Sequence, residues 1–236
     1  VEAFPENGAL HMELARMAQK IDQTEAAFYH MEQGLLLEGV ALEDKMPVVL
    51  SIYENRESPS FRALFDRVFP VLESAYSGRI ELVLLTAQIH IQNERWHDAL
   101  EGYIEAISMN PTNYALYQMA YSLSQEVGDV DGQIALLESI EENFNEDEDI
   151  LEGLVFEYYN VGRWASCARL ATAQAEMTLD PEVAGDLYAL AGTAWFQLDS
   201  FELGTVAYEK ALDQERSPTT LNNYAWDLAT HERNLE

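Results

Sequence analysis

Along most of the chain, apolar residues recur every three or four positions, the period of a buried helix face and not of a strand. The stretch from Val83 to Pro111 reads VLLTAQIHIQNERWHDALEGYIEAISMNP. Its first half places Val83, Ala87 and His90 on one face, and its second half places Trp96, Ala99, Tyr103 and Ala106 on one face. A polar turn separates the halves and Pro111 closes them. Small residues stand where two helices would approach and large ones fill the gaps beside them, so a helical hairpin is predicted.

The hairpin repeats. Its turn, Asn93-Glu94-Arg95-Trp96, is followed 34 residues later by Val127-Gly128-Asp129-Val130 and 34 later again by Val161-Gly162-Arg163-Trp164. Leu198-Asp199-Ser200-Phe201 comes 37 residues after that. A helix–turn–helix unit of this period resembles the tetratricopeptide repeat (TPR). The first clear unit carries the resemblance through Val83, Ala87, Trp96, Ala99, Tyr103, Ala106 and Pro111. The last complete unit does so through Tyr188, Ala191, Gly192, Trp195, Phe201, Gly204, Tyr208 and Ala211, with Pro218 two residues late. The unit opening at Leu151 keeps Leu154, Tyr158, Gly162 and Trp164, with Cys167 in a small-residue slot. The unit containing Tyr117, Ala120 and Gly128 has Gln133 where a small residue is expected, which suggests a looser pair.

The resemblance implies an all-α, right-handed superhelical solenoid of antiparallel helix pairs, a single domain over 1–236. Regular units span 79–112, 113–146, 147–182 and 184–217, and a further repeat starts at 219–236. Residues 1–40 read as a degenerate repeat, with His11, Leu14, Ala15 and Ala18 on one helix, Asp22 in the turn, and Ala27, Met31 and Gly34 on the next. Residues 41–77 read as an irregular helical hairpin. Its first helix runs through Val48, Leu50, Ile52 and Tyr53, with Pro47 in the first turn. Glu57-Ser58-Pro59-Ser60 breaks it, the serine serving as a cap. An apolar stripe of Phe61, Leu64, Phe65, Val68, Phe69 and Leu72 follows, and Pro70 should kink or interrupt that helix. The sequence stops in the turn of a unit whose second helix is missing, which reads as a fragment of a longer repeat protein.

Charge narrows the partners. Against 42 acidic residues stand 13 basic ones, for a net charge of −29. Such a molecule repels phosphate backbones and anionic membranes, so no nucleic-acid partner is expected. No run of 18 apolar residues occurs, so no membrane insertion is expected. Scarce lysine beside excess acid fits solubility of an extended surface, a salty milieu or a basic partner. The compartment stays open between cytoplasm and periplasm. Similarity of the late repeats to those of bacterial TPR proteins, notably of Bacteroidota, points to a bacterial envelope protein.

Catalytic chemistry is not visible, and no enzyme, cofactor or metal is expected. The five histidines include no pair at i, i+4 and no HExxH, and no phosphate-binding glycine loop or nucleophile elbow occurs. His90, in an aromatic slot, reads as a satisfied core histidine. The lone Cys167 cannot form an internal disulfide and reads as an inert core thiol. The acidic run 141–149 lacks the glycine a calcium loop needs and reads as an inter-repeat loop with carboxylates at a helix N-terminus.

What the resemblance does imply is a concave groove walled by the first helix of each pair, and hence a non-catalytic protein–protein interaction scaffold. Projection of the repeat phase puts Leu84, Gln88 and Ile91 on that wall, then Gln118, Ser122 and Gln125. Glu152, Phe156, Tyr159 and Asn160 follow, then Thr193, Phe196 and Gln197, then Asn223 and Asp227. Amide side chains suit a peptide backbone, and Phe156, Tyr159 and Phe196 are anchors of the kind that dominate interface energy. Chaperone-binding TPRs grip an acidic C-terminal tail with basic residues on these helices; the matching positions here are Leu84, Gln88, Gln118 and Ser122, so a neutral or basic segment is favoured instead. Two alternatives remain: a self-assembling structural module, a homo-oligomer formed by end-to-end stacking of repeats or through the 41–77 hairpin, or an interaction domain of a larger protein.

Overall fold

The computed structural model describes residues 7–231. Among them are thirteen helices and no strand: α1 Gly8–Lys20, α2 Thr24–Leu36, α3 Leu42–Glu54, α4 Pro59–Ala75, α5 Ile80–Gln92, α6 Trp96–Met109, α7 Tyr114–Val127, α8 Val130–Asn143, α9 Glu148–Asn160, α10 Trp164–Met177, α11 Pro181–Gln197, α12 Phe201–Gln214 and α13 Pro218–Thr230. The helices gather into two compact units, 1–89 and 90–236.

The turns inside the pairs explain the repeat period. Glu94, Gly128, Gly162 and Asp199 all have left-handed backbone, with φ of 57°, 72°, 70° and 56°. Each is the second residue of one of the four turn tetrapeptides found in the sequence. A left-handed residue there reverses the chain in three or four positions, letting the two helices pack antiparallel. Glycine meets the requirement freely, whereas other L-residues are strained by about 1–2 kcal/mol. Asp22 makes the same turn between α1 and α2, at φ 56°.

In the second unit every helix from α6 to α13 packs on its successor, and α9 also meets α11, which meets α13. Side-chain caps start several of these helices: Asn113 accepts from Ala115 N, Asp129 from Gly132 N, Asp147 from Ile150 N and Asp180 from Glu182 N. Asp147 thus spends part of the acidic run on capping α9. Close crossings are set by glycine. A Cβ on Gly192 would stand 2.7 Å from the Tyr208 ring, and one on Gly204 2.5 Å from the Phe196 ring. The rings of Tyr117, Tyr158 and Tyr208 fill the spaces beside such small residues and are fully buried. Gln133 is also buried; its amide donates to the Ser124 carbonyl at the end of α7, so the oversized residue is used as a tie.

The first unit is built differently. Its core gathers Val49 and Ile52 of α3 against Leu64, Val68 and Leu72 of α4. Phe28 and Phe61 meet edge-on at 4.7 Å, and Phe65 and Phe69 stack at 4.8 Å. The 61–72 stripe is therefore spent on the core. Arg67 of α4 forks onto both carboxylate oxygens of Glu32 on α2, at 2.8 and 3.0 Å. Buried Lys45 donates to the Leu37 carbonyl and to Tyr76 Oη, tying the α2–α3 connection to the end of α4.

Three expectations need correction here. Pro70 does not interrupt α4, which runs unbroken to Ala75; its ring is exposed, on the side of the helix away from the core. Pro47 lies inside α3, beyond its first turn, because that helix begins at Leu42. Ser58 is the N-cap of α4 but its side chain makes no capping bond, and Pro59 at the first helical position removes one donor that would need it.

Candidate functional site

The projected wall lies on α5, α7, α9, α11 and α13. Leu84 and Gln88 fall in the first unit, the remaining projected residues in the second. Leu84 and Ile91 are half-buried and Gln88 is exposed.

Within the second unit, α7 and α9 are joined by Tyr121, whose hydroxyl donates to Glu157 Oε2 at 2.7 Å. Burial and the adjacent carboxylate push the Tyr121 phenol well above its usual range, so it stays a donor. Around this bridge Gln118, Ser122 and Gln125 of α7 are exposed, as are Phe156 and Asn160 of α9, while Glu152 and Tyr159 are half-buried. Phe156 keeps 46% of its surface in solvent. Counting back from the left-handed turn residues Gly128, Gly162 and Asp199, Phe156 is equivalent to Ser122 and Thr193. Tyr159 meets Trp164 edge-on at 5.3 Å, so its ring is partly committed to the pair.

The next helices depart from the projection. Phe196 is fully buried, ringed by Phe201, Tyr208, Tyr224 and His231 at centroid distances of 5.6 to 6.4 Å. It is a core residue and offers nothing to a ligand. Asp227 is buried too, its Oδ2 accepting from Tyr208 Oη at 2.7 Å. Tyr208 Oη also lies 2.6 Å from Thr193 Oγ1, so Thr193, half-buried, is committed inward. Burial pushes the Asp227 carboxyl up, against the opposing pull of Tyr208, His231 and Thr193. Gln197 and Asn223 are exposed. One position from Asp227, Trp226 keeps 68% of its surface exposed, a residue the projection passed over. Its signal was present: the run Tyr224-Ala225-Trp226 offers two aromatics, and only one can share the buried face with Asp227.

Reactive chemistry is sparse. Cys167 is fully buried and burial raises its thiol to about 12, so little thiolate exists at neutral pH. The expectation of a satisfied His90 fails, since its buried Nδ1 has no hydrogen-bond partner. Among the described residues no group of three or more His, Cys, Asp or Glu side chains is placed to hold a metal ion. Among them, too, no helix is long and apolar enough to cross a membrane.

The alternating pattern, in which α9 meets α11 and α11 meets α13 beside the hairpin contacts, decides the fold type when joined to the 34-residue turn spacing. The fold is an all-α TPR array. No family model and no curated protein matches the sequence. Among solved structures, it is similar to MamA protein at 15% identity, covering 72% of this chain and 92% of that one with a TM-score of 0.44. It is also similar to YrrB, described as a TPR protein with an unusual peptide-binding site, at 13% identity, 98% and 95% coverage and a TM-score of 0.43. BtubC from P. vanneervenii matches at 10% identity, 89% coverage of each chain and a TM-score of 0.35. The assignment of this array rests on its own helices and turns.

Proposed function

We propose that the protein is a non-catalytic interaction scaffold, and that α7 and α9 of the second unit form the wall on which a segment of a partner protein lies. The observation that carries this reading is Phe156, an aromatic ring 46% exposed. It projects from a helix whose neighbours in the same register, Gln118, Ser122 and Gln125, are polar and exposed. A solvent-facing aromatic surrounded by amides is the composition of an interface hot spot with a peptide-binding rim. Glu152 beside it, and the acidity of the unit as a whole, favour a neutral or basic segment and steer it over a distance. Phe196 and Asp227 drop out of the proposed site because they are buried.

The test is site-specific photo-crosslinking in the source cells. A benzoyl-phenylalanine at position 156 or 118 is expected to capture a protein that the same group at Ala135 of α8 or Ala173 of α10 does not. Crosslinks concentrated at 135 and 173 would put the partner on the second helices and end this reading.

A second reading, self-association, is favoured by Trp226 and Leu221 of α13, which are 68% and 43% exposed. Light scattering separates the two: a mass that grows with concentration and returns to that of one chain in Trp226→Ser supports assembly through α13.

A further inference from the structure

One contact inside the α1–α2 pair is made of residues unlike those in the later pairs. Counted from the left-handed turn residue of each hairpin, His11 of α1 holds the slot of Val83, Tyr117, Leu151 and Tyr188. Counted the same way, His30 of α2 holds the slot of Gly102, Leu136, Leu170 and Ala207. All of these later residues except Val83 and Gly102 are buried, and none carries a side-chain nitrogen. Both helices of the first pair thus bring an imidazole to a place that is otherwise apolar.

The two imidazoles face each other. Their Nδ1 atoms are 3.0 Å apart, and the rings lie at 58° with centroids 5.0 Å apart. His11 is fully buried and His30 half-buried, so the pair meets solvent from the α2 side. Tyr29, more than half exposed, borders it there, its ring edge-on to His11 at 6.0 Å and to His30 at 5.2 Å.

Two neutral histidines at this distance share one proton, one Nδ1 donating and the other accepting. That bond leaves His11 Nε2 buried with no partner among the described residues. An unpaired buried polar atom carries a cost that leucine in the same slot of α9 does not. Two ring nitrogens this close are also placed as two ligands of one metal ion. With a zinc–nitrogen length of about 2.0–2.1 Å and tetrahedral angles, two such ligands stand about 3.3 Å apart. Small ring rotations therefore suffice to open the observed 3.0 Å. The donor atoms select the ion, because imidazole suits zinc whereas calcium and magnesium take oxygen.

We propose that His11 and His30 bind a zinc ion through their Nδ1 atoms, with water at the two remaining tetrahedral positions on the solvent side. Each imidazole enters neutral with its proton on Nε2. The proton that lay between the rings moves to Nε2 of the ring that held it, so none is released. The ion then staples α1 to α2 within the first hairpin. This site uses neither α7 nor α9 and does not depend on the wall proposed there.

The test is isothermal titration of the full chain with zinc chloride in excess magnesium, which occupies surface carboxylates. One zinc per chain is expected, bound at least tenfold more weakly by His11→Leu and by His30→Ala. These variants install the residue types that the same slots hold in α9 and α12, so both should fold. Thermal denaturation checks this, and zinc should raise the midpoint of the native chain but of neither variant. In NMR spectra of the native chain, one equivalent of zinc should move the ring signals of His11 and His30 and leave the other three histidines in place. These native-chain signals decide the matter even where a variant fails to fold. No zinc bound, equal affinity in the native chain and a folded variant, or shifts confined to His90, His97 or His231 would overturn the proposal.

Discussion

The two units are made of the same kind of helix pair and hold themselves together by different means. Residues 90–236 contain 28 acidic and six basic residues, against 14 and seven in residues 1–89. The second unit uses a rigid grammar. A left-handed turn residue stands at a fixed place, glycine stands at close crossings such as Gly192 and Gly204, and tyrosine rings fill the space beside small residues. Three tyrosines of the unit point their hydroxyls at carboxylates: Tyr121 at Glu157, Tyr158 at Glu141, and Tyr208 at Asp227. In α3 and α4 the first unit replaces that grammar with bulk, while α1 and α2 keep the left-handed turn at Asp22. Leucine, valine and phenylalanine of α3 and α4 make a conventional apolar core, and a buried lysine stitches its loops. The lesson is that hairpin stacking needs no particular residue set. Once helical period and a short turn are given, either small-and-aromatic or uniformly large packing closes the interface.

The comparison breaks most visibly at Tyr208. Removing the ring in Tyr208→Ala should cost about 3–5 kcal/mol, read by thermal denaturation, with amide exchange rising in α11, α12 and α13. Tyr208→Phe separates the ring from its hydroxyl: it keeps the packing but leaves the buried Asp227 carboxylate without its donor, and a smaller loss of about 1–3 kcal/mol is expected. Equal losses in the two variants would mean that the hydroxyl, not the ring, holds α13.

In the first unit the corresponding tie is Lys45. Lys45→Ala strands the Leu37 carbonyl and takes the donor from Tyr76 Oη, which keeps only its own bond to the Val40 carbonyl, and denaturant unfolding should register about 1–3 kcal/mol. Lys45→Met, which keeps the stem and removes the charge, should lose less. Equal losses in the two variants would show that the ammonium, not the packing of its stem, secures the loop.

The turns sharpen the comparison on a smaller scale. Gly128→Ala or Gly162→Ala should destabilise by about 1 kcal/mol, because alanine is strained in left-handed backbone. Glu94→Gly and Asp199→Gly should show no such loss. A glycine-to-alanine change without effect would mean that the turn is free to relax.

The smallest effect is on pH. His11 Nδ1 lies 3.0 Å from His30 Nδ1, with His11 buried between α1 and α2. Burial, and then the neighbouring His11, hold His30 below the usual histidine value of 6.5. The folded state therefore binds fewer protons than the unfolded state between the two values, and stability falls as pH drops below 6.5 through the lowered one. A shallow loss of stability between pH 7 and pH 5 is expected, flattened in His30→Gln. A slope that persists in that variant would assign it to other groups.

Helix existence and hairpin phase were legible along the chain because both are local. The three-and-four spacing fixes the buried face, and a left-handed residue at an even interval marks each reversal, so Asn93 to Trp96 and its three successors located the pairs. The wall was legible only in part. Gln118, Ser122, Gln125, Phe156 and Asn160 are exposed because α7 and α9 keep the regular register. Phe196 and Asp227 are not, because the end of α11 is enclosed by rings from α12 and α13 and because a tyrosine hydroxyl 2.7 Å away makes a buried carboxylate tolerable. Pro70 likewise looked like a break, since sequence cannot say that its ring would face solvent.

The sequence by itself determined an all-α chain of paired helices, where each pair turns, and a net charge of −29. These follow from periodicity, turn chemistry and charge, which need only neighbours in the chain. Only the tertiary structure decided which aromatics are spent inside and which remain outside. Exposure depends on residues dozens of positions away.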